Sequence, residues 1–438
     1  MIAASTCLSP VVERGGLWSA AKGARQERAV TAKQLAALAC VPFAFACKGL
    51  PDRDTPSADV RDSAGVRIVE NRRPRWDMPW RTSDDPALTI GRVEGGGDYD
   101  LYQVTGALRL VGGTVVVANS ATLELRFYDS NGTHLRSVGG AGGGPGEFRS
   151  LEWISRFTSD SILALDVLGH RVSVFDSTGR YARSVRLEPS PDIPAPRAVG
   201  FFDDGSFLAT HGAYILGGEL PVRSERTEEG LFRYEADGRA ATFVGSFLGR
   251  ERDIVVMRRP SGEASVERWP RILGRATAYA AAGYRFYVAD NNTYEIKVFS
   301  MDPPRLRMLI RKEHQHLVVT DADVRMVRDS LLQSMSGPAR RMTAISFEDS
   351  PPPPTTIPAY APDIHVDADN NLWVREYSRP GDPRVTWSVF SDDGVLLASV
   401  DTPPGVRILD IGSDYVLGLR QDENDVEYIQ MFHLIKGN

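Results

Sequence analysis

The chain has almost no cysteine. Its 438 residues contain Cys7, Cys40 and Cys47, and no cysteine follows residue 47. No disulfide can therefore cross-link the remainder of the chain in any compartment. That part must be stabilised by the burial of apolar side chains, and it is long enough to build a large core.

The chain also lacks an excess of positive charge and the common catalytic signatures. It carries 51 basic and 57 acidic residues, for a formal net charge of −6. Nucleic acid is therefore excluded as a partner, because its phosphates need clustered lysine and arginine. No H-E-x-x-H pattern is present. The glycine-rich run at 139–148 lacks the Lys-Ser/Thr ending of a phosphate loop.

Long hydrophobic runs are missing as well. The clearest apolar segment is LAALACVPFAFA at 35–46, preceded by Lys33. It is too short to span a bilayer and is typical of the core of a signal peptide. We therefore predict a signal peptide over 1–46, and the mixed-charge residues upstream favour a true start near Val30.

The signal segment ends in Ala44-Phe45-Ala46-Cys47. This resembles the lipobox of bacterial lipoproteins, with Ala44 where leucine is usual. The resemblance implies a lipid on Cys47 and a location in the bacterial cell envelope, periplasmic or surface-facing. The alternative is ordinary signal-peptide cleavage near Ala46. Residues 47–65 are polar and rich in proline and aspartate, so we expect a flexible tether there.

A strand pattern repeats six times in the remainder, 66–438. Turns containing Gly, Asn, Asp or Ser precede runs rich in β-branched and aromatic residues. These runs are VVVAN (115–119), ILALD (162–166), FLATH (207–211), FYVAD (286–290), LWVRE (372–376) and VLGLR (416–420). A second strand follows each run and carries an aromatic residue at an equivalent position. These aromatic residues are Tyr128, Phe175, Tyr234, Phe299, Phe390 and Phe432.

The repeat predicts an all-β, six-bladed propeller, against the alternative of a β-sandwich or two β domains. The sixth unit lacks an outer strand. A segment at 87–90 is available to complete that blade and close the ring. Val66–Val69 is a candidate for a further edge strand, and we expect deletion of 48–80 to leave folding largely intact.

Two motifs carry a family resemblance. GGAGGGPGEF (139–148), followed by VFDSTG, resembles bacterial six-bladed propeller lipoproteins with NHL-like repeats. IHVDADNNLWV (364–374) is similar to another form of the blade, with Asn371 in place of glycine. The resemblance covers about 85–438 and implies the fold, whereas propellers serve both as binding platforms and as enzymes.

The longest spacing between blades predicts an insertion at about 318–362. Thr320 and Asp323 form a capping-box-like start, and an apolar face at helical spacing follows. That face comprises Val324, Val327, Leu331, Leu332 and Met335. A run of four prolines at 351–354 comes next. Two interpretations stay open: a helix packed outside a blade, or a lid over one mouth of the channel.

Polar residues end the six repeated strands and are the candidate ligands at the channel mouth. They are Asn119, Asp166, His211, Asp290, Glu376 and Arg420. In outline they resemble the polar ring of calcium-dependent lactonases on six-bladed propellers, which makes calcium a candidate cofactor. The alternative is that they cap their own hairpins, as Asp166 would by pairing with Arg171. His314 and His316 are a further candidate metal pair, or solvated histidines.

Two functions are therefore open. The first is a lipid-anchored binding module for a protein, peptide or glycan, expected to be monomeric. The second is a metal-dependent hydrolase or lactonase that uses the polar ring. The missing catalytic motif and the uneven loop lengths favour the binding module, and calcium binding would favour the hydrolase.

Overall fold

In the computed structural model of the chain, the described residues are 57–75, 80–92, 96–157, 160–211, 224–258, 264–301, 303–333, 335–348 and 350–437. The predicted signal peptide and Cys47 lie outside them. Four short strands come first: β1 (Ala58–Ser63), β2 (Val66–Asn71), β3 (Arg81–Thr82) and β4 (Leu88–Ile90).

Two four-stranded blades follow. Blade 1 contains β5 (Val104–Arg109), β6 (Val115–Asn119), β7 (Glu124–Tyr128) and β8 (His134–Gly139). Blade 2 contains β9 (Trp153–Phe157), β10 (Ser161–Asp166), β11 (Arg171–Phe175) and β12 (Tyr181–Arg186).

The third repeat carries an extra sheet. Its strands are β13 (Arg197–Phe201), β14 (Phe207–His211), β15 (Ser224–Glu225), β16 (Glu228–Tyr234), β17 (Ala240–Leu248), β18 (Arg252–Arg258) and β19 (Ala264–Pro270). Blade 3 consists of β13, β14, β16 and β17. The other three strands pair with one another and form what we call the insertion sheet.

The last three blades contain the remaining elements. Blade 4 contains β20 (Thr277–Ala282), β21 (Arg285–Asp290), β22 (Glu295–Met301) and β23 (Pro304–Lys312), and is followed by α1 (Asp321–Gln333) and α2 (Gly337–Glu348). Blade 5 contains β24 (Tyr360–Val366), β25 (Leu372–Glu376), β26 (Val385–Phe390) and β27 (Leu396–Thr402). Blade 6 contains β28 (Val406–Ile411), β29 (Tyr415–Gln421) and β30 (Glu427–Ile435).

The blades form a closed ring, as the repeat predicts. The innermost strand β5 contacts β9, β20 contacts β13 and β24, and β28 contacts both β24 and β5. Strand β4 pairs antiparallel with β30 from Ile429 to Met431 and completes blade 6. The predicted closing strand is confirmed, and the open edge of the last blade is covered.

Apolar side chains fill the spaces between blades. Among the described residues, the buried apolar side chains form six clusters, one at each interface between neighbouring blades. The second strand of a blade is buried on both faces, and all five residues of β6 are buried. A strand covered on both faces needs an uninterrupted apolar run, which explains why these strands stood out in the sequence.

The repeated aromatic residue marks a shared irregularity. In blades 1 to 5 the pairing of the third strand with the fourth shifts register at this position, as at Tyr128 and Phe390. A bulge strengthens the local twist of a strand. The sequence repeat therefore reflects a repeated backbone feature as well as a repeated core position.

The ring has two faces, which we name for later use. Hairpins between second and third strands, and the linkers between blades, lie on the linker face. The turns between first and second strands and between third and fourth strands lie on the opposite face, the turn face. This follows from the antiparallel order of the strands in each blade.

The N-terminal strands confirm the strand expected at Val66–Val69 and correct the predicted extent of the tether. Strand β1 occupies Ala58–Ser63, so the tether predicted for 47–65 does not extend over these residues. Strand β2 pairs in parallel with β23 and extends blade 4, and Val69 is fully buried there. Residues 48–80 therefore include part of the folded body, because edge pairing and burial hold a segment whose sequence is largely polar.

The predicted helical insertion is present, with one addition. Thr320 and Asp323 form the reciprocal cap: Thr320 N donates to Asp323 Oδ2 at 2.8 Å, and Asp323 N donates to Thr320 Oγ1 at 3.2 Å. Helix α1 ends at Gln333, before Met335, and α2 begins at Gly337. The second helix was missed because its Gly-Pro start resembles a breaker, although proline is tolerated in a first helical turn.

Candidate functional site

The six predicted site residues lie at equivalent places on the linker face. They stand at or next to the ends of β6, β10, β14, β21, β25 and β29. Each of these strands is second in its blade, so one strand separates it from the channel axis. The residues share a face, and their contacts decide what each of them does.

Asn119 and Asp166 are both fully buried and cap local turns. Asn119 Oδ1 accepts from the backbone of Tyr102 at 2.8 Å, and its amide donates to Thr122 Oγ1 at 2.8 Å. The Asp166 carboxylate accepts backbone N–H groups, including Ser150 N at 2.9 Å, and pairs with Arg171 at 3.2 Å. The predicted Asp166–Arg171 pair is thus present.

Glu376 belongs to a network that joins blades 4 and 5. Its Oε1 accepts from Tyr294 OH at 2.6 Å, Lys312 Nζ at 2.7 Å and Ser388 Oγ at 2.5 Å. Burial, together with the adjacent carboxylate, raises the pKa of the Tyr294 hydroxyl well above its ordinary value. Ser388 is fully buried, so a substrate cannot reach its hydroxyl, whereas Lys312 and Glu376 are partly exposed.

The other three candidates differ from one another. Asp290 Oδ1 accepts from Arg226 Nη2 at 2.7 Å and from Asn292 N at 3.1 Å. His211 pairs through its backbone with Gly230, and its side chain lies outside the described part of the structure. Arg420 is exposed.

Metal-ligand geometry is not found in the described residues. Within them, no group of three or more His, Cys, Asp or Glu side chains is arranged to hold a metal ion. The rings of His314 and His316 lie 4.5 Å apart. Burial, and then the neighbouring His316, lowers the pKa of His314 below its ordinary value.

A charged cleft opens beside Asp290 on the linker face. Its volume is about 320 Å³, which is at the lower end of small-ligand sites. The insertion sheet and the linkers on either side of it supply most of the lining, and the proline-rich segment supplies the rest. The lining residues are Ser224, Glu225, Arg226, Glu251, Arg271, Arg275, Pro354 and Thr355.

Protein contacts hold the three arginines of the cleft in place. Arg226 is fixed by Asp290 and by the carbonyl of Gly249, at 2.7 and 2.9 Å. Arg271 donates to Asp253 Oδ1 at 2.6 Å and to the carbonyl of Pro352.

Arg275 donates to Asn292 Oδ1 at 2.7 Å and to Thr356 Oγ1 at 2.9 Å. Arg226 Nη1 makes no hydrogen bond to the described residues. Fixed guanidinium groups with unused donors are suited to carboxylate recognition.

Acidic groups balance the arginines. Glu251 Oε2 accepts from the backbone of Arg275 at 2.9 Å, and Glu225 Oε1 accepts from Arg268 Nε at 2.9 Å. Burial raises the pKa of the Asp253 carboxyl above its ordinary value, and the Arg271 guanidinium opposes this rise. The cleft therefore presents both signs of charge at short range.

Sequence reasoning identified Asp290 but missed the arginines around it. Arg226, Arg271 and Arg275 come from two separate segments that meet only in the folded chain. The available signal was the long spacing from Phe175 to Tyr234 and from Tyr234 to Phe299, which indicated insertions without indicating their chemistry.

Comparison with known proteins adds structural neighbours. No protein-family model and no curated protein sequence matches the chain. A DUF4221 family member from Bacteroides vulgatus superposes with a TM-score of 0.46 at 10% identity, covering 82% of this chain and 99% of its own. A Bacteroides fragilis protein described as exported gives 0.44 at 11% identity, with coverages of 84% and 100%.

A gluconolactonase from Xanthomonas campestris gives a TM-score of 0.40 at 12% identity, covering 82% of this chain and 99% of its own. Likenesses at this level carry no argument about function. Within the described residues, no helix has both the length and the apolarity to cross a bilayer.

Proposed function

We propose that the chain is an extracytoplasmic binding module, anchored by a lipid on Cys47, whose cleft beside Asp290 binds a peptide segment of mixed charge. The observation that carries the proposal is the presence of Arg226, Arg271 and Arg275 together with Glu225 and Glu251 around one cavity. Arginines satisfy a ligand's carboxylates, and glutamates satisfy its amines. An acidic glycan would meet repulsion from the glutamates, so a peptide is favoured over it.

Binding of defined probes tests this function. The mature protein in detergent would be titrated with a hexapeptide of alternating Glu and Lys, an all-Glu hexapeptide and hexagalacturonate. We expect the alternating peptide to bind most tightly. Arg226→Gln removes about 1.5–3 kcal/mol of charge-assisted hydrogen bonding, which weakens binding roughly 10- to 100-fold.

Arg239→Gln is the matched control, because Arg239 pairs with Asp237 in an exposed turn away from the cleft. Preference for hexagalacturonate, or equal loss in both variants, would contradict the peptide proposal. The calcium-dependent hydrolase stays an alternative without a supporting observation in the described residues. Stoichiometric calcium binding that is lost in Asp290→Asn would favour it.

A further inference from the structure

Tyr279 has a buried hydroxyl with no hydrogen-bond partner. The residue belongs to β20, the innermost strand of blade 4, and its ring packs edge-on against Phe247 of blade 3 at 6.3 Å. Its hydroxyl oxygen is closed to solvent and makes no hydrogen bond to the described residues. A buried polar group without a partner is costly and uncommon in native proteins, so its presence needs an explanation.

The hydroxyl lies beside the ion pair of Arg226 and Asp290. Val288 stands directly opposite Tyr279, and Asp290 lies two residues farther along the same strand. Tyr279 and Asp290 are therefore diagonal neighbours on one face of the sheet, a spacing that an aromatic side chain can bridge. Burial, and then the carboxylates of Glu229 and Asp290, raises the pKa of the Tyr279 hydroxyl above its ordinary value. The Arg226 guanidinium opposes this rise, so both members of the ion pair act on the hydroxyl.

Asp290 can accept more hydrogen bonds than it does. Its Oδ1 accepts from Arg226 Nη2 at 2.7 Å and from Asn292 N at 3.1 Å, whereas Oδ2 accepts none from the described residues. The side chain is 35% exposed, so neighbouring atoms do not enclose it. A carboxylate has about four acceptor sites. Asp290 can therefore take the donor that Tyr279 offers.

A ligand carboxylate in the cleft competes with Asp290 for Arg226. Arginine binds a carboxylate most strongly through two parallel N–H groups. Arg226 Nε donates to the carbonyl of Gly249 at 2.9 Å, so the pair of groups left for a ligand is Nη1 and Nη2. Nη1 makes no hydrogen bond to the described residues, but Nη2 donates to Asp290. Two-pronged binding of a ligand therefore draws Nη2 away from Asp290.

We propose that Asp290 exchanges partners when the cleft binds a carboxylate: Arg226 turns to the ligand, and Asp290 turns to the Tyr279 hydroxyl. This exchange rests on the proposed function of the cleft and adds a positioning residue that does not touch the ligand. Tyr279 keeps Asp290 hydrogen-bonded after Arg226 has left it, which lowers the cost of binding. A ligand amine does not engage Arg226 and gains nothing from the exchange, so the device favours carboxylates.

A stability cycle tests the exchange without any ligand. Arg226→Met removes the guanidinium and leaves Asp290 free to accept from Tyr279. We expect Tyr279→Phe to leave the unfolding equilibrium constant of the parent protein unchanged or lower, because the hydroxyl has no partner to lose. In the Arg226→Met background the same change should raise that constant roughly tenfold, since a hydrogen bond to a charged group is then lost. Denaturant titration of the four proteins measures these constants.

Tyr287→Phe is the matched control. Tyr287 is 3% exposed and lies three residues before Asp290 on β21, so its side chain is on the opposite face of the sheet. Its effect should be the same in both backgrounds. Equal effects of Tyr279→Phe in the two backgrounds would overturn the exchange. A tenfold effect that persists after Asp290→Ala is added would also overturn it, because Glu229 would then be the acceptor.

Peptide binding reads the exchange in the occupied cleft. Tyr279→Phe should weaken binding of the alternating Glu-Lys hexapeptide roughly tenfold without lowering Tm, and should have no effect on binding in the Asp290→Ala background. Unchanged affinity of Tyr279→Phe would overturn the exchange while leaving the function of the cleft intact. If the parent protein binds no peptide, the proposed function fails, whereas the stability cycle still decides whether Asp290 turns to Tyr279.

Discussion

Asn71 joins three parts of the ring and gives the sharpest stability test. Its side chain is 2% exposed. The amide donates to the carbonyls of Arg311 at 3.1 Å and Gly394 at 3.0 Å, and Oδ1 accepts from Leu396 N at 2.7 Å. One side chain on β2 thus binds the outer strand of blade 4 and the last hairpin of blade 5.

Asn71→Ala removes these contacts and leaves three buried backbone groups without the partner. Each unsatisfied group costs about 1–3 kcal/mol. Because the structure around the three groups relaxes partially, we expect the variant to lose at least about 3 kcal/mol of unfolding free energy. With an unfolding entropy of about 2.1 cal/mol/K per residue over about 380 residues, this loss lowers Tm by roughly 4 °C. Denaturant titration of the variant, followed by tryptophan fluorescence and by circular dichroism, measures the change.

Asn131→Ala is the control, because Asn131 is exposed in a turn of blade 1 and its loss should stay within about 0.5 kcal/mol. A matching pair of deletions extends the test. Removal of 48–56 should leave stability unchanged, whereas removal of 48–75 should lower it by more than Asn71→Ala does. If Asn71→Ala lies within about 1 kcal/mol of the parent protein, the cost assigned to unsatisfied buried groups is wrong here.

Three further predictions concern the anchor, a turn and a buried carboxyl. Cys47→Ser should move the protein from the membrane fraction to the soluble fraction, since a single-chain or absent lipid does not anchor stably; retention after salt washing would refute this. Gly238→Ala should cost about 2–4 kcal/mol, because Gly238 has φ +89° and a Cβ there would lie 1.8 Å from the carbonyl oxygen of Arg186. Gly65→Ala should cost only about 1 kcal/mol, because Gly65 has φ +81° but no atom lies within 4 Å of an added Cβ. Thermal melts of the two glycine variants measure these costs. Burial raises the pKa of the Glu427 carboxyl, whose Oε2 accepts from Val104 N at 2.7 Å. The protonated carboxyl is therefore favoured in the folded protein. Its contribution to stability is fully present below the ordinary pKa and is lost as pH rises through the folded value. Glu427→Gln should therefore gain stability relative to the parent protein as pH rises above the ordinary carboxyl pKa, because glutamine has no charge to bury.

The sequence by itself determined the ring. Strands buried on both faces require unbroken apolar runs, and the same aromatic position recurs at Tyr128 and Phe390 because blades 1 to 5 repeat one shift in strand register there. The closing strand at Leu88–Ile90 was equally visible, since an unpaired sixth blade needs a partner. The start of α1 at Thr320 and Asp323 was set by contacts within one helical turn. Each of these features depends on local pattern or on a repeat.

Only the tertiary structure decided the rest. Strand β2 extends blade 4 because Val69 and Asn71 find partners more than two hundred residues away, which no local pattern encodes. Likewise, the predicted ligand Asp290 pairs with Arg226, which lines a cleft whose other arginines come from the segment after blade 3. Charge pairs of this kind depend on distances between distant segments, and those distances exist only once the blades have closed into a ring.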